Sequence, residues 1–177
     1  MNLPNALTLL RVALIPVFIV LLMTDHTYAA AGVFIVASLT DMLDGKIARA
    51  KNLVTNFGKL MDPLADKLLV VSALVCFVEL KLVPSWMVIL ILAREFAITG
   101  LRSVAASDGV VIAAGWSGKV KTVTQMVAII LILLKNWPFS YIHVPMDQIM
   151  LWVAVALTVY SGIEYMVKNR AALSMKR

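Results

Sequence analysis

Residues 12–23 form a run of twelve without one polar side chain, and windows of about 20 mainly apolar residues recur along the rest of the chain. Segments of that length and character either fill a large core or lie in lipid. The chain is 177 residues long, 62% hydrophobic and only 15% charged, which leaves too few polar groups to cover a water-facing surface. In lipid every backbone amide needs an internal partner, and successive helices provide one. The expected fold is therefore an all-α integral membrane bundle of six transmembrane helices, opened by a short interfacial helix. The spans fall near residues 6–23, 29–43, 63–77, 86–104, 120–134 and 146–166, with the second helix continuing to residue 50. Loops are expected at 51–59, 79–84, 107–121 and 136–145, and Pro63 suits the first turn of the third span. No second domain is left over, so residues 1–177 read as a single membrane domain.

A net charge of +6 could suggest a nucleic-acid binder. The placement of the cations argues otherwise, because they follow the loops instead of forming one basic patch. With six spans, Lys81 and Lys135 alone fall on one side, and the other fourteen of the 16 Lys and Arg fall on the other. That asymmetry places both termini in the cytoplasm, in a bacterial inner or plasma membrane. Nucleic acid is not expected as a partner; anionic lipid and phosphorylated substrates are. The lone cysteine, Cys76, lies in an apolar run and reads as a packing residue. His26 and His143 read as turn and interface residues.

Against this background, four aspartates between residues 41 and 66 stand out. Asp41 and Asp44 are three apart, and Asp62 and Asp66 are four apart, so each pair shares one face of its helix. Charges at membrane depth are costly and mark function by default. Two carboxylate pairs joined by a short connection make an all-oxygen site suited to two divalent cations, Mg²⁺ or Mn²⁺. Two such ions can clamp the attacking and leaving oxygens of an in-line phosphoryl displacement. Gly45 and Gly58 leave room for a ligand close to the backbone, and Arg49 offers a fork for phosphate. The structural alternative is that these aspartates only form ion pairs with Lys46, Arg49, Lys59 and Lys67. A divalent-cation transporter is a second alternative, although it would spread its acids through the membrane depth.

Other polar groups punctuate the spans. Asn5, Thr8 and Arg11 recur every three residues as a stripe on the first helix. Arg94 and Arg102 lie eight apart, facing one way, and either line an aqueous pocket or, with Glu95, neutralise neighbours within the bundle. Lys119 and Lys121 end a glycine-bearing connection in which Gly115 and Gly118 are too close for a P-loop. They serve as interfacial anchors or as further phosphate contacts.

The segment Asp41-x-x-Asp44-Gly45-x-x-Ala48-Arg49, eight residues, then Gly58-x-x-x-Asp62-x-x-x-Asp66 resembles the full signature of the CDP-alcohol phosphotransferase family, with every position filled. The six-span layout agrees with that family along the whole chain. The resemblance implies transfer of a phosphatidyl or similar group from a CDP-linked donor to an alcohol, with release of CMP. It implies a two-metal site at Asp41, Asp44, Asp62 and Asp66, with Asp66 as the base toward the acceptor hydroxyl. It further implies a cytidine diphosphate pocket bordered by Asp44, Gly45, Ala48, Arg49 and Gly58, and a homodimer. Asn5, Thr8, Arg11 and Lys59 are expected in the same pocket. The stretches PNALTLLR (4–11), AREFAITGLR (93–102) and GKVKT (118–122) resemble members that use CDP-diacylglycerol and glycerol 3-phosphate. An acceptor bearing its own phosphate needs extra cations, and Arg94, Arg102, Lys119 and Lys121 are available for it. Phosphatidylglycerol, inositol phosphate or serine would be the alternative acceptors.

Overall fold

The structure, a computed structural model, describes the backbone of residues 3–50, 56–107 and 115–170, with side chains in these segments other than those of 3–7, 41–50, 56–63, 66 and 107. Among the described residues there are six α-helices and no strand: α1 (Leu3–Met23), α2 (Thr27–Ala50), α3 (Asn56–Glu79), α4 (Ser85–Ser107), α5 (Trp116–Leu133) and α6 (Met146–Lys168). A short 3₁₀ turn, Phe139–Ile142, lies in the α5–α6 connection. At 1.5 Å per residue the helices are about 27–36 Å long. By length and composition, Trp116–Leu133 and Met146–Lys168 are each able to cross a membrane.

Three helix boundaries differ from the sequence expectation. α1 is one continuous helix from Leu3 through Pro16 to Met23, so among the described residues the expected interfacial start is part of the first span's helix. Its inward face runs Thr8, Arg11, Ile15, Phe18, Leu22, so the polar stripe continues the line of the apolar core. α3 starts at Asn56, which puts Pro63 inside the helix instead of at its beginning. α5 starts at Trp116, which takes Lys119 and Lys121 out of the connection and onto a helix.

α1 packs on α2 and α3, α5 packs on α6, and α4 lies against α6 and α3. The core around α1–α3 is built from large rings set among small residues. Phe18 and Phe34 meet with ring centroids 5.8 Å apart, and Ala30, Ala31, Ala37 and Ala73 let the helix backbones approach. The outer surface of the helices carries many large apolar side chains. Val20, Tyr28, Val36, Ile89, Phe96, Val104, Val123 and Ile163 are all more than half exposed, while Arg11, Lys121, Gln125, Thr158 and Ser161 are buried. A water-soluble bundle has the reverse distribution.

α1, α3 and α5 end in the same way. In each, a left-handed residue lets the chain turn back and bond the last carbonyls: Asp25 (φ 60°), Lys81 (φ 58°) and Lys135 (φ 52°). The paired bonds are His26 N–H to Leu21 O with Asp25 N–H to Leu22 O, then Leu82 to Phe77 with Lys81 to Val78, then Asn136 to Leu131 with Lys135 to Ile132. These are Schellman caps closed without glycine. An ion pair of 3.3 Å between Lys135 and Asp25 puts the α1–α2 and α5–α6 turns at one end of the bundle. The aspartate-bearing segments, at the finish of α2 and the start of α3, belong to the other end.

Candidate active site

Helix geometry places the aspartates in two sets. Asp41 and Asp44 lie within the last three turns of α2, and Asp62 and Asp66 within the first three turns of α3. The connection 51–55 can separate the two helix ends by no more than about 20 Å, and α2 and α3 are in contact. Residues three and four apart share a helix face, so the backbone brings two carboxylate pairs to one end of adjoining helices. Such a donor set, all carboxylate oxygen, fits hard divalent cations. The side chains of all four aspartates, and those of Asn5, Gly45, Ala48, Arg49, Gly58 and Lys59, lie outside the described residues. Thr8 and Arg11, from the same expected pocket, are buried on the inner face of α1.

From Lys67, the residue after Asp66, the described residues form a charged cluster between α3, α4 and α5. Glu95 is its centre. Its Oε1 accepts from Lys121 Nζ at 2.5 Å and from Arg94 Nη1 at 3.0 Å, and its Oε2 lies 3.8 Å from Lys67 Nζ. Lys67 also donates to the Thr99 hydroxyl, whose own hydrogen goes to the Glu95 carbonyl. The second Arg94 nitrogen, Nη2, donates to Ser161 Oγ on α6 at 3.0 Å. Three cations thus surround one carboxylate. Lys121 is 1% exposed, so its ammonium needs that partner to remain charged in its position.

Arg94 occupies a slot between two glycines. A β-carbon at Gly162 would lie 3.2 Å from Arg94 Cγ, and one at Gly118 3.5 Å from Nη2. Two turns on, Arg102 places its guanidinium 5.4 Å from the centre of the Tyr165 ring. The Nε atoms of Arg94 and Arg102 and the Tyr165 hydroxyl are buried with no hydrogen-bond partner among the described residues. Glu164, beside Tyr165 on α6, pairs with Lys168 one turn on.

Beside the cluster runs a cleft of about 490 Å³, lined by residues of α2, α3, α4 and α5. Its walls are mostly aliphatic, and Lys67, Glu95, Lys121 and Gln125 supply polar groups. Leu39, Phe96 and Val123, more than half exposed, border it, so the cleft opens on the apolar outer surface. Ser38 and Leu39 lie just before Asp41, and Lys67 just after Asp66. The cleft therefore abuts both aspartate-bearing segments.

The expected acceptor cations are sorted by these positions. Arg94 and Lys121 meet at Glu95, Arg102 lies further along α4 against α6, and Lys119 is exposed and outside the cluster. Sequence reading did not find Ser161, Tyr165 or Thr99, since lone hydroxyls in apolar helices carry no signal of their own. The repeat of four between Ser161 and Tyr165, matching the arginine face of α4, was the available clue. Lys67, which could have served as a counter-ion to the aspartates, reaches Glu95 and Thr99.

Comparison with known proteins completes the picture. The chain is 49% identical to "CDP-diacylglycerol--glycerol-3-phosphate 3-phosphatidyltransferase" of Bacillus subtilis, over 97% of both chains. It is 40% identical to the protein of that name from Rickettsia typhi, over 93% of this chain and 94% of the relative. It is also 40% identical to "Probable phosphatidylglycerophosphate synthase" of Mycobacterium tuberculosis, over 94% of this chain and 81% of the relative. A profile described as CDP-alcohol phosphatidyltransferase matches residues 1–160. With that profile covering most of the helical bundle and both aspartate segments, the chain belongs to the CDP-alcohol phosphatidyltransferase family.

Proposed function

We propose that the protein transfers the phosphatidyl group of CDP-diacylglycerol to the 1-hydroxyl of sn-glycerol 3-phosphate, giving phosphatidylglycerol phosphate and CMP. The observation that carries this reading is the match over 97% of both chains to a relative named for that reaction. The cation cluster supports it, because an acceptor with its own phosphate needs positive charge close to the aspartates.

In this mechanism Asp41, Asp44, Asp62 and Asp66 hold two divalent cations, Mg²⁺ or Mn²⁺. When bound, these ions supply charge neutralisation for the diphosphate. Asp44, Gly45, Ala48, Arg49 and Gly58, at the facing ends of α2 and α3, border the cytidine diphosphate, with Asn5, Thr8, Arg11 and Lys59 nearby. The lipid chains of the donor use the aliphatic cleft, which is open to the apolar surface and ends at the aspartate segments. Arg94 and Lys121, with Arg102 further along, hold the acceptor's phosphate, and the orphaned nitrogens of both arginines gain a partner by doing so. Lys119, being exposed, serves as an interfacial anchor. Asp66 takes the proton of the acceptor hydroxyl. The hydroxyl oxygen attacks the lipid-linked phosphorus, and the bond to the CMP phosphate breaks, its electron pair leaving with CMP.

The same reading makes the protein a multi-pass protein of the bacterial cell membrane, with six spans and both termini and the active site on the cytoplasmic side. The apolar exterior of all six helices supports this, as does the gathering of Asp25, Lys81 and Lys135 at the sparsely charged end. A homodimer is the proposed assembly.

The test is incubation of the purified protein in detergent–lipid micelles with CDP-diacylglycerol, Mg²⁺ or Mn²⁺ and radiolabelled glycerol 3-phosphate, beside Asp66→Asn. The expected result is lipid-soluble label with equimolar CMP, abolished by chelation and by the substitution. Turnover only with serine, inositol phosphate or phosphatidylglycerol would overturn the acceptor. Absence of CMP release with every alcohol, together with metal flux in proteoliposomes, would replace the reaction by transport.

A further inference from the structure

Glu95 stands in a place where simple electrostatics would not put it. A carboxylate beside a phosphate-binding cluster repels the phosphate, so a site selected for anion affinity alone would lack it. Its geometry shows what it contributes instead. One oxygen, Oε1, receives Lys121 from α5 and Arg94 from α4, and so fixes the two cations relative to each other. The other, Oε2, faces Lys67, the residue that follows Asp66 on α3. One side chain therefore links the helix bearing two aspartates to both cation-bearing helices.

Without that carboxylate, three cations of like charge would adjoin one another, and Lys121 would be left buried without its anion. An unpaired buried ammonium either moves to solvent or gives up its proton. Each course removes it from the position it holds now. The charge count agrees: three cations and one carboxylate leave a surplus of two, which matches a phosphate dianion.

We propose that Glu95 is a positioning residue that holds Lys121 and Arg94 in register for the phosphate of the acceptor. This rests on the acceptor-site reading given above. It makes a prediction of opposite sign to charge repulsion: removing the negative charge weakens the binding of a negatively charged substrate.

The experiment measures initial rates of CMP release by the full-length protein in CDP-diacylglycerol micelles, with glycerol 3-phosphate varied. The variants are Glu95→Gln, Glu95→Asp, Lys121→Met and the Glu95→Gln/Lys121→Met double. For Glu95→Gln the KM for glycerol 3-phosphate is expected to rise about tenfold or more, with the KM for CDP-diacylglycerol within about twofold of the parent. Glu95→Asp keeps the charge but draws the oxygens back by one methylene, and is expected to fall between the two. The double variant is expected to lose clearly less than the two single losses combined, because Glu95 acts in part through Lys121 and its remaining effect runs through Arg94 alone. A KM for glycerol 3-phosphate that falls or stays unchanged in Glu95→Gln overturns the proposal, as does full additivity in the double variant. If Glu95→Gln does not fold, Glu95→Asp decides, and a parental KM in that variant overturns the proposal. An unchanged acceptor KM in Lys121→Met would instead overturn the acceptor-site reading itself.

Discussion

Replacing Gly162 by alanine separates the packing of Arg94 from the stability of the bundle. The new methyl would lie 3.2 Å from Arg94 Cγ, where an ordinary carbon contact is about 3.5–4.0 Å. Arg94 must yield by about 0.3–0.5 Å, and the movement begins near the root of its side chain. It is carried to a guanidinium that bonds Ser161 and Glu95, both at 3.0 Å. A hydrogen bond to a charged group contributes about 1.5–3 kcal/mol, so weakening the Ser161 bond by half costs about 1 kcal/mol. That corresponds to about a fivefold fall in kcat/KM for glycerol 3-phosphate. Stability moves the other way or not at all, because alanine in a helix interior is favoured over glycine by about 1 kcal/mol. The assay pairs initial rates at varied glycerol 3-phosphate with a thermal melt in detergent. Gly100→Ala is the control, since a β-carbon there meets nothing within 4 Å. Gly118→Ala is expected to be milder than Gly162→Ala, its contact of 3.5 Å being ordinary. Parental kcat/KM in a normally folded Gly162→Ala protein would refute the reasoning. So would an equal loss in Gly100→Ala, or a lower melting temperature that accounts for the lost activity.

Lys121→Met and Lys119→Met should differ sharply although the two lysines are neighbours in sequence. The buried one should lose most acceptor turnover, and the exposed one should stay within about twofold of the parent; equal effects in rate assays would contradict the cluster. Phe34→Ala should destabilise the α1–α2 packing by about 3–5 kcal/mol, since Phe34 is wholly buried against Phe18. An unfolding titration in mixed micelles measures that loss, and a change below about 1 kcal/mol would mean that the pair does not anchor the two helices. Lys81→Gly should raise the melting temperature slightly, because glycine relieves a left-handed conformation that costs other residues about 1 kcal/mol. A fall in melting temperature would show that the charge of Lys81 at the end of α3 outweighs its backbone strain.

The helices were legible in the sequence because apolar runs of this length leave few other folds, and the turns because polar residues cluster between them. Boundaries were less so. Pro63 suggested a helix start, yet α3 begins at Asn56. A proline costs one backbone bond, and within a packed bundle neighbouring helices compensate for it. The start of α5 had a larger consequence. Read as part of a connection, Lys119 and Lys121 looked equivalent. On a helix, residues two apart point about 200° apart, so one faces solvent and the other the core.

The sequence by itself determined the helical class and the family, and it marked the aspartate segments as the candidate site. Those follow from short-range facts: hydrophobic length, spacings of three and four, and the order of residue types in one continuous stretch. Tertiary structure decided which cations share a carboxylate, that Arg94 is held by Ser161 between Gly118 and Gly162, and that the cleft runs to the aspartate segments. These depend on which faces of α3, α4, α5 and α6 meet. Helix rotation and crossing are set by the packing of the whole bundle, and no local spacing encodes them.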